Sequence, residues 1–223
     1  MSSDNNTFFC GYWYVADNPK KTASRGHLNY AVKKHMDYIF CEEPFEHPTA
    51  KFLNLPYSDL PSVPYIKNLS RYCSSKDFVH TKYGDRIKSE AFLKLATIWT
   101  SKVFLFAELA KHVNSEFITW VDMVKNILMD SIVRHECCDR VVVSGRTYNW
   151  PRQPFKKLYT LHDTMFNAAV RAQVIRIPTA MLDDFISVYI SCLEHVDANF
   201  EVYDEEIVLA YMCSTHPNLF VRL

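Results

Sequence analysis

The chain has only four glycines in 223 residues, and no glycine-rich run opens a helix anywhere along it. Walker loops and dinucleotide fingerprints need glycine where the backbone closes on phosphate. Their absence excludes P-loop kinases and ordinary NAD enzymes. A basic surplus is also missing, since 25 Lys and Arg stand against 25 Asp and Glu. Proteins that lie on nucleic acid or anionic lipid usually carry such a surplus, so no nucleic-acid partner is expected. Long uncharged apolar runs are lacking too. The best stretch, 92–113, contains Lys94, Lys102, Glu108 and Lys111, so it is expected as a soluble helix and not as a membrane span. Residues 1–6 are polar and no basic-then-apolar leader follows, so no cleaved signal is expected. The seven cysteines form no repeating frame, and Cys137 and Cys138 are adjacent. Reduced thiols and a cytoplasmic setting are the expectation. His135, Glu136, Cys137 and Cys138 lack a Cys-x-x-Cys partner, so they do not spell a zinc site.

What remains is globular composition, 48% hydrophobic and 22% charged, on a chain long enough for one domain with a full core. Residues 8–15 (FFCGYWYV), 37–41 (DYIFC), 51–55 (KFLNL), 117–121 (FITWV), 140–144 (RVVVS) and 172–177 read as strands. Helices are expected at 27–35, 65–73, 85–113 with a conceivable break at Thr100-Ser101, from Pro178 to His195, and from Asp204 onward. In 85–113 the apolar residues Phe92, Leu95, Ala96, Trp99, Val103, Phe106, Leu109 and Ala110 recur at three- and four-residue spacing, the mark of a buried stripe. Strands alternating with helices imply an α/β fold, a mostly parallel (mixed) sheet flanked by helices, spanning 1–223 as a single domain.

The residue that draws chemistry is Asp122, because a strand that ends in an acid presents a carboxylate at the carboxyl edge of the sheet, where open α/β sheets take ligands. A hard divalent cation bridging phosphates wants such an oxygen. An aspartate that only caps a turn after the strand fits the same pattern. Lys102, with Ser101 before it, is either a point charge for a phosphate or a surface lysine on an amphipathic helix. Asp204, Glu205 and Glu206 are either a source of a general base or the acidic first turn of a helix. Gly145-Arg146 closes a strand and offers an amide and a guanidinium, or is a plain turn. Beyond it Tyr148, Trp150, Phe155 and Arg152 suit a sugar-stacking platform or a set of loop anchors.

Several segments, in order, carry a resemblance. They are Trp99-Thr100-Ser101-Lys102 followed by Phe117 to Asp122, the opening strand at 8–15, and YIFCE at 38–42. Leu60-Pro61 with Tyr65-Ile66, YDEEIVL at 203–209 and HPNLF at 216–220 complete the set. Together they resemble the HtrL/YibB-like proteins, which look like members of the GT-A glycosyltransferase superfamily. The resemblance implies a GT-A-like fold and transfer of a sugar from a nucleoside diphosphate sugar to a glycan or other hydroxyl acceptor. Ser101, Lys102, Asp122, Gly145 and Arg146 would then lie at the donor, and Asp204, Glu205 or Glu206 would act as the acceptor-side acid. Such transferases hold a divalent metal, manganese or magnesium, on Asp-x-Asp. Here Val124 stands where the second acid would be. A metal on Asp122 would then need help from the nucleotide phosphates, water or a distant acid such as Asp204, Glu205 or Glu206, and both a metal-assisted and a metal-free site stay open. So does an inactive GT-A-like domain that binds a glycan or a protein. A nucleotidyltransferase on a similar sheet is disfavoured by the lack of a glycine- and basic-rich N-terminal loop.

Overall fold

The computed structural model describes residues 5–15, 36–76, 78, 88–122, 139–145, 170–200 and 202–222. Its strands are β1 (Asn6–Tyr12), β2 (Tyr38–Cys41), β3 (Lys51–Asn54), β4 (Phe117–Val121), β5 (Val141–Gly145), β6 (Val170–Pro178) and β7 (Phe220–Arg222). They form one seven-stranded sheet in the order β3-β2-β1-β4-β6-β5-β7. The pairs β1–β2, β2–β3, β1–β4 and β5–β7 are parallel, and β6 is antiparallel to both of its neighbours, β4 and β5. Six strands therefore point one way and β6 alone runs against them. From β1 the chain moves outward to β2 and β3, then returns on the other side of β1 to build β4. Strand order reverses between β1 and β4, the kind of point at whose carboxyl ends open α/β sheets take ligands.

The α-helices among the described residues are α1 (Lys67–Cys73), α2 (Ser89–Ala110), α3 (Leu182–Asn199) and α4 (Glu205–Thr215). All four contribute to one core with Phe9, Phe40, Ile118, Trp120, Val143 and Ile175 from one face of the sheet. The alternate residues Cys10, Ile39, Cys41, Val121 and Val174 face the other way, into a smaller cluster with Met36. The two-residue period of a strand thus sorts each strand between two cores. Asp122 follows Trp120 by two residues, which puts it on the helix-bearing side.

Helix α2 runs unbroken through Thr100-Ser101. It is buried nearly all round in its second half, from Thr100 to Phe106, so its apolar stripe is wider than the sequence spacing predicts. The polar residues in that half find partners. Thr100 Oγ1 donates to Ala96 O at 2.7 Å and lies 2.9 Å from Ser62 Oγ, and Ser101 Oγ lies 2.8 Å from Ser62 Oγ. Strand β1 stops at Tyr12, short of the predicted end at Val15, and Trp13 Nε1 donates to Leu55 O at 2.9 Å. A Cβ on Gly11 would overlap the Trp13 ring and stand 3.1 Å from Trp120, so glycine here lets two indoles close on the strand. Pro178 ends β6, and α3 begins at Leu182 after a 3-10 turn, Thr179–Met181. The short edge strand β7 was not expected from the sequence. The helix expected at 27–35, and the aromatic loop with Arg146, Tyr148, Trp150, Arg152 and Phe155, lie outside the described residues.

One carboxylate fastens three elements. Asp197, near the end of α3, accepts from the backbone N–H groups of Asn68 and Leu69 at 2.9 and 3.0 Å, which are donors of the first turn of α1. The Tyr203 hydroxyl also donates to it, at 2.7 Å, and burial together with this bond holds that phenol well above its ordinary range. Asp197→Ala leaves a buried hydroxyl and helix donors unsatisfied. It is expected to cost about 3 kcal/mol in urea unfolding, whereas a loss under about 0.5 kcal/mol would show that water satisfies these groups.

Candidate functional site

Three elements meet at one ammonium. Lys102 lies midway along α2, Asp122 follows β4 directly, and Glu205 is the first residue of α4. Lys102 Nζ donates to Asp122 Oδ1 at 2.8 Å, to Glu205 Oε1 at 2.7 Å and to Ala172 O of β6 at 3.3 Å. An ammonium has three N–H donors, and three acceptors use them. Lys102 is 3% exposed and Glu205 5%, whereas the Asp122 side chain keeps 23% of its surface. The triad is thus buried on the Lys102 and Glu205 side and opens to solvent at Asp122.

A second donor fixes Asp122. Trp120 Nε1 reaches Oδ1 at 2.7 Å, because residues two apart on a strand share a face. Lys102 Nζ also stands 5.3 Å from the centre of the Trp120 ring, within cation–π range. The Asp122 backbone N–H donates to Gln173 O at 2.8 Å, which ties the end of β4 to β6. Trp120 therefore orients the carboxylate. The sequence carried that signal in the Trp-x-Asp spacing, although the reading above gives Trp120 no role.

Electrostatics follow from one cation between two anions. Burial alone would lower the Lys102 pKa, but Asp122 and then Glu205 outweigh it and hold the ammonium above its ordinary range. With both acids ionised the triad carries one surplus negative charge. Burial pushes Glu205 up to about 7 against the pull of Lys102, with Asp204 and Asp122 adding to the rise. In the unfolded chain Glu205 titrates near 4.5. Between those values the native state holds a proton that the unfolded state has lost, so this contribution to stability is full below pH 4.5 and is lost as pH rises through about 7. Melting curves across that window should show wild type losing stability relative to Glu205→Gln as pH increases. Parallel profiles would contradict the shift.

Several expectations from the sequence are corrected here. Lys102 is neither a surface lysine nor a cation turned toward a ligand, because its three donors are engaged inside the protein. Ser101 does not join it: successive residues on a helix point about 100° apart, and Ser101 turns to the buried Ser62. Asp204 is the N-cap of α4, accepting from Ile207 N at 3.2 Å. Glu205 is committed to Lys102. Glu206 is half-buried and is not among the partners of Lys102. Gly145 ends β5 at the same sheet edge as Asp122, with β6 between them. Arg146 lies outside the described residues.

A divalent cation on Asp122 fits this arrangement poorly. Among the described residues no three His, Cys, Asp or Glu side chains gather to hold a metal, and the Asp122 and Glu205 carboxylates already share an ammonium. No helix among these residues is long and apolar enough to cross a membrane. No protein-family model matches the chain, and no curated protein matches it.

Proposed function

We propose that the chain is a GT-A-type glycosyltransferase of the HtrL/YibB-like kind, one domain over 1–223, which moves a sugar from a nucleoside diphosphate sugar to a hydroxyl acceptor. One observation carries the reading. The carboxylate with solvent access in the buried triad, Asp122, ends an interior strand at the point where strand order reverses. Ligand crevices of α/β sheets form at such points. The ordered resemblance expects β1 and β4 to be interior, and both are. In this reading Asp122 accepts from donor hydroxyls or amides. Lys102 and Trp120 are positioning residues that hold its geometry, and Glu205 balances Lys102. In this reading Glu206, in the first turn of α4, takes the acceptor-side role.

A second reading, a GT-A-like domain that binds a glycan or protein without turnover, is favoured by Val124 in place of a second acid and by the saturated ammonium of Lys102. A thermal-shift screen of UDP, GDP, CMP and TDP sugars tests the donor reading. A ligand at a hundred times its dissociation constant adds about 2.7 kcal/mol, so at least one nucleotide class should raise the melting temperature by several degrees. No shift with any donor overturns the transferase reading and leaves the binding domain.

A further inference from the structure

We infer that Lys102 is a resident cation: its ammonium fills the place between Asp122 and Glu205 that a divalent ion would take, the native pair binds no such ion, and removing the ammonium uncovers a site that does. The argument is geometric. Two carboxylate oxygens and the Ala172 carbonyl oxygen surround one point at 2.8, 2.7 and 3.3 Å. Hard divalent cations select an all-oxygen set of this kind, at distances of about 2.0–2.6 Å. The set is built from three separate elements, α4, β6 and the end of β4, so it is preformed and does not depend on one mobile loop. Lys102 reaches it from α2 while buried, with its Nζ 5.3 Å from the Trp120 ring centre, and satisfies all three oxygens at once. A divalent ion entering the native site would meet that ammonium at contact distance in a buried setting, where like charges repel strongly. With the lysine gone, two adjacent carboxylates lose the ammonium they share, and a divalent ion would satisfy both.

This inference does not rest on the donor reading, and its test contains no nucleotide. Manganese is titrated into four full-length proteins and free ion is followed by electron paramagnetic resonance, with melting temperature as a second readout. The proteins are wild type, Asp122→Asn, Lys102→Met and Lys102→Met with Asp122→Asn. Wild type and Asp122→Asn should show the same weak, surface-type binding. Lys102→Met should gain one manganese per chain, at least tenfold tighter than any wild-type binding. Its melting temperature should rise with the ion, and adding Asp122→Asn should abolish both effects. Saturable manganese binding by wild type that Asp122→Asn weakens tenfold overturns the inference, and so does a folded Lys102→Met that gains no site. Should Lys102→Met not fold, the comparison of wild type with Asp122→Asn decides alone: equal weak binding supports a resident ammonium, and unequal binding overturns it.

Discussion

Lys102→Met is expected to destabilise the fold by about 3–5 kcal/mol, the usual consequence of removing one partner from a buried ion pair. The methionine fills most of the lysine stem, so little packing is lost and the effect is electrostatic. What remains is Glu205, 5% exposed, beside Asp122, with no ammonium and with the Ala172 carbonyl unsatisfied on that side. Glu205 would then take up a proton, so the loss should shrink as pH falls. Adding Glu205→Gln to Lys102→Met removes the stranded charge and should recover at least about 1 kcal/mol, a coupling that a double-mutant cycle in urea reads directly. Natural domains hold only about 5–15 kcal/mol in reserve, so the single variant should be purified cold and at mildly acidic pH. A loss under about 1 kcal/mol with no pH dependence would mean that the triad is hydrated and contributes little.

Asp122→Asn separates chemistry from folding. Asn keeps an oxygen at Oδ1 for Trp120 and Lys102, and it brings the triad from one surplus negative charge to neutrality. Stability should therefore change by no more than about 1 kcal/mol. Glu205, relieved of one neighbouring anion, should titrate lower than in wild type. Turnover is another matter. A carboxylate accepts two or more hydrogen bonds with full charge, and an amide turns one of those positions into a donor. Loss of one well-placed charged group at a reacting centre commonly costs on the order of a hundredfold in rate. Transfer or donor-hydrolysis assays should show a fall of that size alongside an unchanged melting curve. Unchanged turnover with lowered stability would make Asp122 structural and return the protein to the class of binding domains.

Much of the sheet could be read from residues alone because its strands are short apolar runs that end at turns. The run FITWV followed by Asp122 indicated β4 and the acid at its carboxyl end together. The resemblance put Lys102 and Asp122 at the donor and an acid of the α4 first turn on the acceptor side; the structure brings Lys102, Asp122 and Glu205 into hydrogen-bond contact. How they meet was not readable. Whether a lysine on a helix faces water or the core depends on what packs on that side. In α2 the flanks are covered by α1, α3, α4 and β4, and Lys102, three residues after Trp99 and four before Phe106, lies on the buried face. The same burial takes Ser101 into the Ser62 hydroxyl cluster. Asp204 and Glu205 are consecutive in sequence yet divide between a helix cap and an ion pair, because the N-cap and the first helical residue point in different directions. Strand β7 has three residues, too few for alternation to show, and it exists because β5 offers an open edge.

The central claim, that Asp122 closes a nucleotide-sugar site at the β1–β4 switch point, is tested most directly by calorimetric titration. The best nucleoside diphosphate sugar from the thermal-shift screen is titrated into wild type and into Asp122→Asn under the same conditions. Saturable binding to wild type at one site per chain, weakened at least tenfold in the variant whose melting curve is unchanged, is the predicted result. Equal affinity in both proteins would contradict the account.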